Sequence, residues 1–222
     1  MQLSFPIKLS ELVSLICDFI YDVRYHVKTC GNLRGANFRS KLNFDYEPSH
    51  YSQLYRLFSK YPFDDKSHFI DFGCGKGRTL VVAMKLGCKY VTGVEINSTL
   101  CDIAAHNINV VKARDKLLCN SHVVNCDARE FEVDERTNYF FFFNPFHMKV
   151  FHYVLKAIQK SVIESPREVI LIFLGPREST IKVINDFDFF TLVESNKKRD
   201  YVVYSATRNH HQIKEERRYN AE

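Results

Sequence analysis

Residues Phe69 to Leu80 read Phe-Ile-Asp-Phe-Gly-Cys-Gly-Lys-Gly-Arg-Thr-Leu: an apolar run carrying one acid, then glycine at every second position, then the start of an amphipathic helix. Few folds accept that order. Gly73, Gly75 and Gly77 stand where a buried parallel strand must turn sharply into a helix, and side chains there would hold a ligand away from the backbone. The amides of Gly77 and Arg78 at the helix start point toward the loop, the layout in which dinucleotide enzymes receive a pyrophosphate. The spacing here is G-x-G-x-G rather than the G-x-G-x-x-G of those enzymes, and Asp71 lies two residues ahead of the first glycine. An acid in that place suits a cationic or amine-bearing ligand. Taken alone, such a loop is also an ordinary strand-to-helix turn.

Three further strand ends give the loop company. Glu95 closes the run Tyr90-Val-Thr-Gly-Val-Glu, where a carboxylate can accept both hydrogen bonds of a ribose diol. His122-Val-Val-Asn-Cys-Asp-Ala128 ends on Asp127, and Asn138-Tyr-Phe-Phe-Phe-Phe-Asn-Pro-Phe146 ends on Asn144, Pro145 and Phe146. Near-continuous apolar runs of this kind are what strands buried on both faces of a parallel sheet require. Ligands of open α/β sheets sit beyond the carboxyl ends of the strands, where Asp71, Glu95, Asp127 and Asn144 converge. The chain is therefore expected to bind a nucleotide-type cofactor.

On these residues the chain resembles the class I S-adenosylmethionine-dependent methyltransferases, over about residues 46 to 207. The resemblance implies that Asp71, Gly73, Gly75 and Gly77 wrap the methionine part of S-adenosyl-L-methionine. It further implies that Glu95 holds the ribose hydroxyls with Ile96 and Asn97 beside the adenine, and that Asp127 and Ala128 contact the adenine edge. Asn144-Pro145-Phe146 resembles the family's fourth motif, Asp or Asn, Pro, Pro, then Tyr or Phe in amino-group methylases; the second proline is absent here. Upstream, Asp45-Tyr-Glu-Pro-Ser-His-Tyr51 is similar to a segment of an uncharacterised subgroup that includes relatives of protein-lysine methylases. In that reading Tyr46, Pro48 and Tyr51 fold over the cofactor as a lid, where an aromatic face near a sulfonium stabilises it by roughly 0.5 to 2 kcal/mol. The same residues also read as a helix entry, with Ser49 or Asp45 as cap and the tyrosines packing.

The 222 residues suit one α/β domain with terminal extensions, and an apolar content of 45% suffices for a full core. The expected division is an N-terminal helical extension and loop over 1–45, the methyltransferase domain over 46–207 and a polar tail over 208–222. A net charge of +5 is spread along the chain and does not by itself indicate nucleic acid. Its densest clusters are Lys197-Lys198-Arg199 and Lys214 to Arg218, which read as solvated surface. Seven cysteines, an odd number with no C-x-x-C pair, argue against a disulfide framework or a zinc site. Cys74 and Cys126 fall on the cofactor loops, where inert buried thiols are expected. The apolar start is interrupted by Glu11 and Asp18, so it reads as neither signal peptide nor membrane span, and a cytoplasmic protein is expected.

Leu12, Leu15, Ile16, Phe19, Ile20 and Val23 recur at helical spacing within residues 10 to 28, which predicts a helix with Ser10 as cap and its apolar side on the core. Were that side exposed instead, it would serve a partner or a membrane surface. A loop with Gly31, Asn32, Gly35, Asn37 and Asn43 follows. Then come strand 68–72, helix 77–87, strand 90–94, helix 98–112, strand 121–125, strand 139–143, helix 148–163, strand 168–174, helix 178–186, and strands 189–194 and 201–207 joined by a hairpin turn. An antiparallel hairpin closing a parallel sheet is the mark of the methyltransferase fold, with right-handed crossovers giving the order 3-2-1-4-5-7-6.

The expected reaction is methyl transfer to an acceptor nitrogen, with a protein lysine ahead of nucleic-acid or small-molecule amines. Asn144 and the Pro145 carbonyl are expected to orient the amine, and Phe146 to stack on or line its path. His50, Tyr51, His147 and His152 are possible bases with no partner visible in the sequence, better read as surface or packing residues. Lys76 and Arg78 suit either the cofactor carboxylate, an acidic acceptor, or plain solvent. Two other readings stand beside this one: a nicotinamide-dependent oxidoreductase, disfavoured by the glycine spacing, and a cofactor-binding module without turnover.

Overall fold

The computed structural model describes residues 9–31 and 46–207, with the side chain of Ser10 excepted. The expected loop positions Asn32, Gly35, Asn37 and Asn43, the capping alternative Asp45, the basic run Lys214 to Arg218 and the polar tail lie outside those residues. Seven strands form one sheet: β1 (His68–Phe72), β2 (Tyr90–Glu95), β3 (Asn120–Asn125), β4 (Tyr139–Phe142), β5 (Val169–Leu174), β6 (Thr191–Asn196) and β7 (Tyr201–Ala206). Their order is β3-β2-β1-β4-β5-β7-β6, as the sequence predicts. β1 to β5 run parallel, and β7 lies antiparallel to both β5 and β6. The helices are α1 (Leu9–Tyr25), α2 (Tyr51–Lys60), α3 (Arg78–Lys85), α4 (Ser98–Asp115), α5 (Met148–Glu164) and α6 (Glu178–Asn185).

Side-chain alternation along the strands divides the core in two. Phe69, Phe141, Ile172 and Val203 point to the layer formed by α2, α3 and α4, with Leu54, Phe58, Val81 and Ile108 among their neighbours. Ile70, Phe72, Phe140, Phe142, Leu171 and Phe173 point to the α5 and α6 layer, against Val154, Ile158 and Ile184. Phe72, Phe142 and Phe173 sit side by side on adjacent strands with nearly parallel rings, 5.4 and 4.8 Å between centroids. This stack locks the register of β1, β4 and β5, whose carboxyl ends bear the glycine loop and Asn144. The β3 to β4 connection, residues 126–138, carries no helix, in keeping with its short polar sequence.

Two boundaries shift for local reasons. Phe189 and Phe190 are buried in the turn before β6 rather than paired within it, so the strand begins at Thr191. β6 instead runs on to Asn196 across an irregularity between Leu192 and Glu194; the Glu194 carboxylate accepts from the hydroxyls of Tyr61 and Tyr201, at 2.6 and 2.7 Å. Helix α3 stops at Lys85, and Gly87 turns the chain at φ +91°.

The main departure from the sequence reading is α1. Leu12, Val13, Leu15, Ile16, Phe19, Ile20 and Val23 are exposed, whereas Asp18, Asp22 and Tyr25 are buried. The helix presents its carboxylates to the core because cations and hydroxyls wait for them there. Asp18 accepts from Arg78 Nη1 at 2.9 Å, from His50 Nδ1 at 2.7 Å and from the Tyr51 amide at 2.9 Å. Asp22 accepts from the amides of Thr29 and Cys30, at 2.6 and 2.7 Å, and from the hydroxyls of Thr29 and Tyr51, at 2.5 and 2.9 Å. Tyr21 stacks on Tyr51 at 4.8 Å, and the Tyr25 and Tyr55 hydroxyls bond each other.

Breaking a buried charge pair by removing one partner leaves the other uncompensated, which costs about 3–5 kcal/mol. Arg78→Met is accordingly expected to lower unfolding stability by about that amount in denaturant titrations. A solvent-facing arginine would give a loss within about 0.5 kcal/mol.

Candidate active site

At the carboxyl ends of β1, β2 and β4 the sheet opens into a cleft of about 630 Å³. Its walls include Tyr46, Gly73, Glu95, Ile96, Asp127, Ala128, Asn144, Pro145 and Phe146 from the expected site, together with Glu47, Val94, Leu100, Cys126, Phe143 and Val150.

Gly73 and Gly75 both hold positive φ, +77° and +54°. A Cβ on Gly73 would overlap the ring of Pro145, and one on Gly75 would overlap the ring of Tyr46. Glycine is thus required twice over: for backbone conformation, and so that the fourth-motif proline and the Tyr46 ring can close on the loop from two sides. Gly77 is the left-handed N-cap residue of α3, where a Cβ would stand 3.1 Å from Ala104.

Glu95 is buried, and its two oxygens accept from the amides of Gly75 and Asn97, at 3.1 and 2.9 Å. A carboxylate offers about four lone-pair sites, so acceptor capacity remains for a diol in the cleft. Asn97 caps α4, its Oδ1 accepting from the Leu100 amide at 3.1 Å. The turn between them is held by Asn125, whose Nδ2 donates to the carbonyls of Glu95 and Ile96, both at 3.0 Å. Sequence reasoning missed Asn125, Leu100, Phe143 and Glu47. Asn125 lies two residues before Asp127 at a strand end, and Glu47 sits inside the Tyr46 to Tyr51 segment; those positions were the available signals.

Asp127 lines the cleft with its carboxylate clamped by Arg129, Nη2 at 2.6 Å and Nε at 3.0 Å, which holds it below the usual carboxylate range. Asn144 has φ +42°, and its Nδ2 donates to the Gly175 carbonyl at the end of β5. With the nitrogen so fixed, Oδ1 is the acceptor left to the cleft. Cys126 and the fully buried Cys74 have thiols pushed up by burial, which disfavours the reactive thiolate.

Several expected roles are corrected. Tyr51 is fully buried under Arg78, whose guanidinium carbon sits 4.5 Å from the ring centroid, and it does not line the cleft. Of the three expected lid residues, Tyr46 alone reaches the cleft, and Pro48 is half-buried behind it. Lys76 and Arg78 face neither solvent nor cleft. Lys76 Nζ donates to the carbonyls of Cys30 and Gly31, both at 2.8 Å, and lies 4.9 Å from the Tyr46 ring centroid. Arg78 also donates to Thr29 Oγ1 at 2.7 Å and to the Ser49 carbonyl at 2.8 Å. Tyr46 completes the link by donating from its hydroxyl to the Thr29 carbonyl at 2.7 Å. His50 has a partner, Asp18, and its ring pKa is raised by that hydrogen bond. His147 caps α5, and His152 packs on Phe187 at 5.2 Å.

Asp71 lies beneath the glycine loop rather than in the cleft wall. Burial pushes its carboxyl up to about 8, against a hydrogen bond with Thr79 that favours ionisation. The folded protein therefore keeps a proton that the unfolded chain releases near 3.8, so stability declines as pH rises between those values. Asp71→Asn keeps a neutral side chain at every pH. It is expected to raise the melting temperature at pH 8 and change it little at pH 4, as measured by thermal unfolding without ligand. Equal effects at both pH values would contradict the assignment.

The residues present fit S-adenosyl-L-methionine. The buried Glu95 carboxylate with spare acceptor capacity lines the cleft beside apolar Ile96, Leu100 and Ala128, with Gly73 of the glycine loop in the same wall. Comparison with known proteins agrees. The family model described as histone methylation protein DOT1 matches residues 26–141. A ribosomal protein L11 methyltransferase of Shewanella is 46% identical over 48 residues, 22% of this chain but 16% of that protein, so the match spans a small part of the relative's length. Among solved structures, the chain is similar to a human methyltransferase 10 domain containing protein, with a TM-score of 0.55 and 13% identity over 89% of this chain and 97% of that one. It is also similar to the tRNA (uracil-54, C5)-methyltransferase of Pyrococcus abyssi in complex with S-adenosyl-L-homocysteine, at a TM-score of 0.52 and 13% identity over 81% of this chain and 44% of that one. With the family model matched over just over half of its residues, and with this strand order, the chain belongs to the DOT1 histone methylation protein family and has the fold of the S-adenosylmethionine-dependent methyltransferases.

Proposed function

We propose that this protein transfers the methyl group of S-adenosyl-L-methionine to an acceptor nitrogen, the side-chain amine of a protein lysine. The observation that carries this reading is the chemistry of the cleft wall: among the described residues Glu47, Glu95 and Asp127 line it, the last paired with Arg129, no lysine or arginine is in the wall itself, and Asn144 stands among them. Such a wall favours a sulfonium donor and a cationic or amine acceptor, and it disfavours a polyanion in the cleft. The family described by histone methylation supports a protein acceptor.

The bound cofactor supplies a methyl group already activated on a sulfonium, so the protein's task is alignment and exclusion of water. Glu95 fixes the ribose end. The Tyr46 ring, seated on Gly75 and backed by the Lys76 ammonium, closes the methionine end. Asn144 Oδ1 and the Pro145 carbonyl accept the hydrogens of the incoming amine and turn its lone pair inward. Phe143 and Phe146, both lining the cleft, flank an alkyl chain along the approach. The exposed carboxylate of Glu47 at the rim draws a lysine ammonium in, and the proton shed before transfer leaves to water there.

Purified protein incubated with methyl-labelled cofactor and cell lysate is expected to label the protein fraction, with methyl-lysine released on hydrolysis. Label in RNA, DNA or small molecules would reassign the acceptor. No label in any fraction, with cofactor still bound, would leave a silent binding module. Asn144→Ala is expected to slow transfer by about 10²-fold, the cost of a mispositioned acceptor, with cofactor affinity changed less than about threefold. Equal loss of binding and transfer would instead place Asn144 in the cofactor shell.

A further inference from the structure

The outward face of α1 has no use in the site just described, and its composition is specific. Leu9, Leu12, Val13, Leu15, Ile16, Phe19, Ile20 and Val23 are all exposed, Leu9 at 76% and Phe19 at 63%. At 100° per residue these eight positions fill an arc of roughly 160°, with no charged residue inside it. Contiguous apolar surface on this scale marks an interaction site.

The charges around the arc indicate what covers it. Of the three acids of α1, Asp18 and Asp22 are turned into the protein and held there by Arg78, His50, Thr29 and Tyr51, while Glu11, in the first turn, stays exposed at the edge of the arc. Basic residues remain outside: Arg24, His26 and Lys28 follow the arc and are exposed. Arg114 donates to the Arg24 carbonyl, which brings the end of α4, with Lys112, Arg114 and Lys116, beside them. Asp115, the acid in that group, is paired with Lys85 at 2.7 Å. In sequence, the residues before α1 read Met-Gln-Leu-Ser-Phe-Pro-Ile-Lys8, which continues the apolar composition and adds a cation. An apolar helix face bordered by cations is the signature of a helix lying in the interface of an anionic bilayer, its apolar side among the acyl chains and its cations at the phosphates. No described helix is long and apolar enough to cross a membrane.

We propose that α1 docks the protein onto the surface of anionic lipid membranes, through Leu12, Ile16, Phe19, Ile20 and Val23, with Arg24, Lys28 and Arg114 contacting headgroup phosphates. The surface is independent of methyl transfer, so its test stands or falls without the reading above.

The full chain is mixed with vesicles of equal parts phosphatidylglycerol and phosphatidylcholine, or of phosphatidylcholine alone, and sedimented. Binding to the anionic vesicles is expected, weaker without phosphatidylglycerol and weaker at high salt. The double variant Ile16→Glu, Phe19→Glu is expected to lose roughly tenfold or more of that affinity, and Arg24→Glu, Lys28→Glu a lesser part. All four positions are exposed, so an unchanged far-ultraviolet spectrum and melting temperature confirm that the variants fold. Absence of wild-type binding, or equal binding by wild type and the Ile16, Phe19 variant, would overturn the proposal. So would a dimer in sedimentation equilibrium that this variant converts to monomer with neither protein binding vesicles; the face would then pair two copies of the chain.

Discussion

The guanidinium of Arg78 is the point on which the arrangement around the cleft depends. It stands on the first residue of α3, at the end of the glycine loop, and reaches away from the cleft into a pocket of acids, hydroxyls and carbonyls. Asp18 comes from α1, Thr29 from the segment that follows α1, and Ser49 from the segment that enters α2. One side chain therefore fastens three stretches of chain to the glycine loop. Burial alone would raise the pKa of the Asp18 carboxyl, but the His50 hydrogen bond and the Arg78 charge outweigh it and hold it below the ordinary value. A fully paired buried cluster of this kind is costly to leave half made, so it selects one arrangement of these segments over looser ones.

The consequence for the site is geometric. Tyr46 reaches the cleft only because its hydroxyl is held by the Thr29 carbonyl and its ring rests on Gly75, with Lys76 tying the neighbouring carbonyls of Cys30 and Gly31. On the opposite wall, Pro145 rests on Gly73 and Asn144 is anchored to Gly175. The stacked phenylalanines of β1, β4 and β5 set how far apart these two walls stand. The glycine loop is thus gripped from both sides by side chains that its lack of Cβ atoms admits, and the cleft lies between them. A loop with any Cβ at Gly73 or Gly75 would push one wall back, whatever its effect on the ligand.

Strand order, helix positions and the convergence of Glu95, Asp127 and Asn144 were legible because they follow from local periodicity and from a general rule about strand ends. What was not legible has one physical origin. Periodicity finds the two faces of an amphipathic helix but assumes that the apolar one faces inward. In α1 the assumption fails because Asp18 and Asp22, four residues apart on one side, are answered by Arg78 and Tyr51, sixty and twenty-nine positions downstream. Nothing within the helix announces those partners. The same gap in information left Lys76 and Arg78 open between the cofactor carboxylate, an acidic acceptor and solvent, His50 unpartnered, and Tyr51 open between lid and packing, with no sign of the ion-pair cluster that holds them. Asn125 escaped for a related reason: its work is to hold two backbone carbonyls of another strand's end, a task with no composition signature.

The inversion of α1 and the construction of the cleft are two sides of one choice. A helix docked through carboxylates must turn the opposite face outward, and here that face is built of leucine, isoleucine, valine and phenylalanine rather than of the glutamates and lysines that would suit water. Were the helix only a strut for Tyr46 and the glycine loop, polar residues outside would serve as well and would avoid an exposed apolar surface. Two separate patterns therefore share seventeen residues. Asp18 answers to Arg78 and Asp22 to Thr29 and Tyr51, and both fix the cofactor side, while the apolar set finds no cover among the described residues.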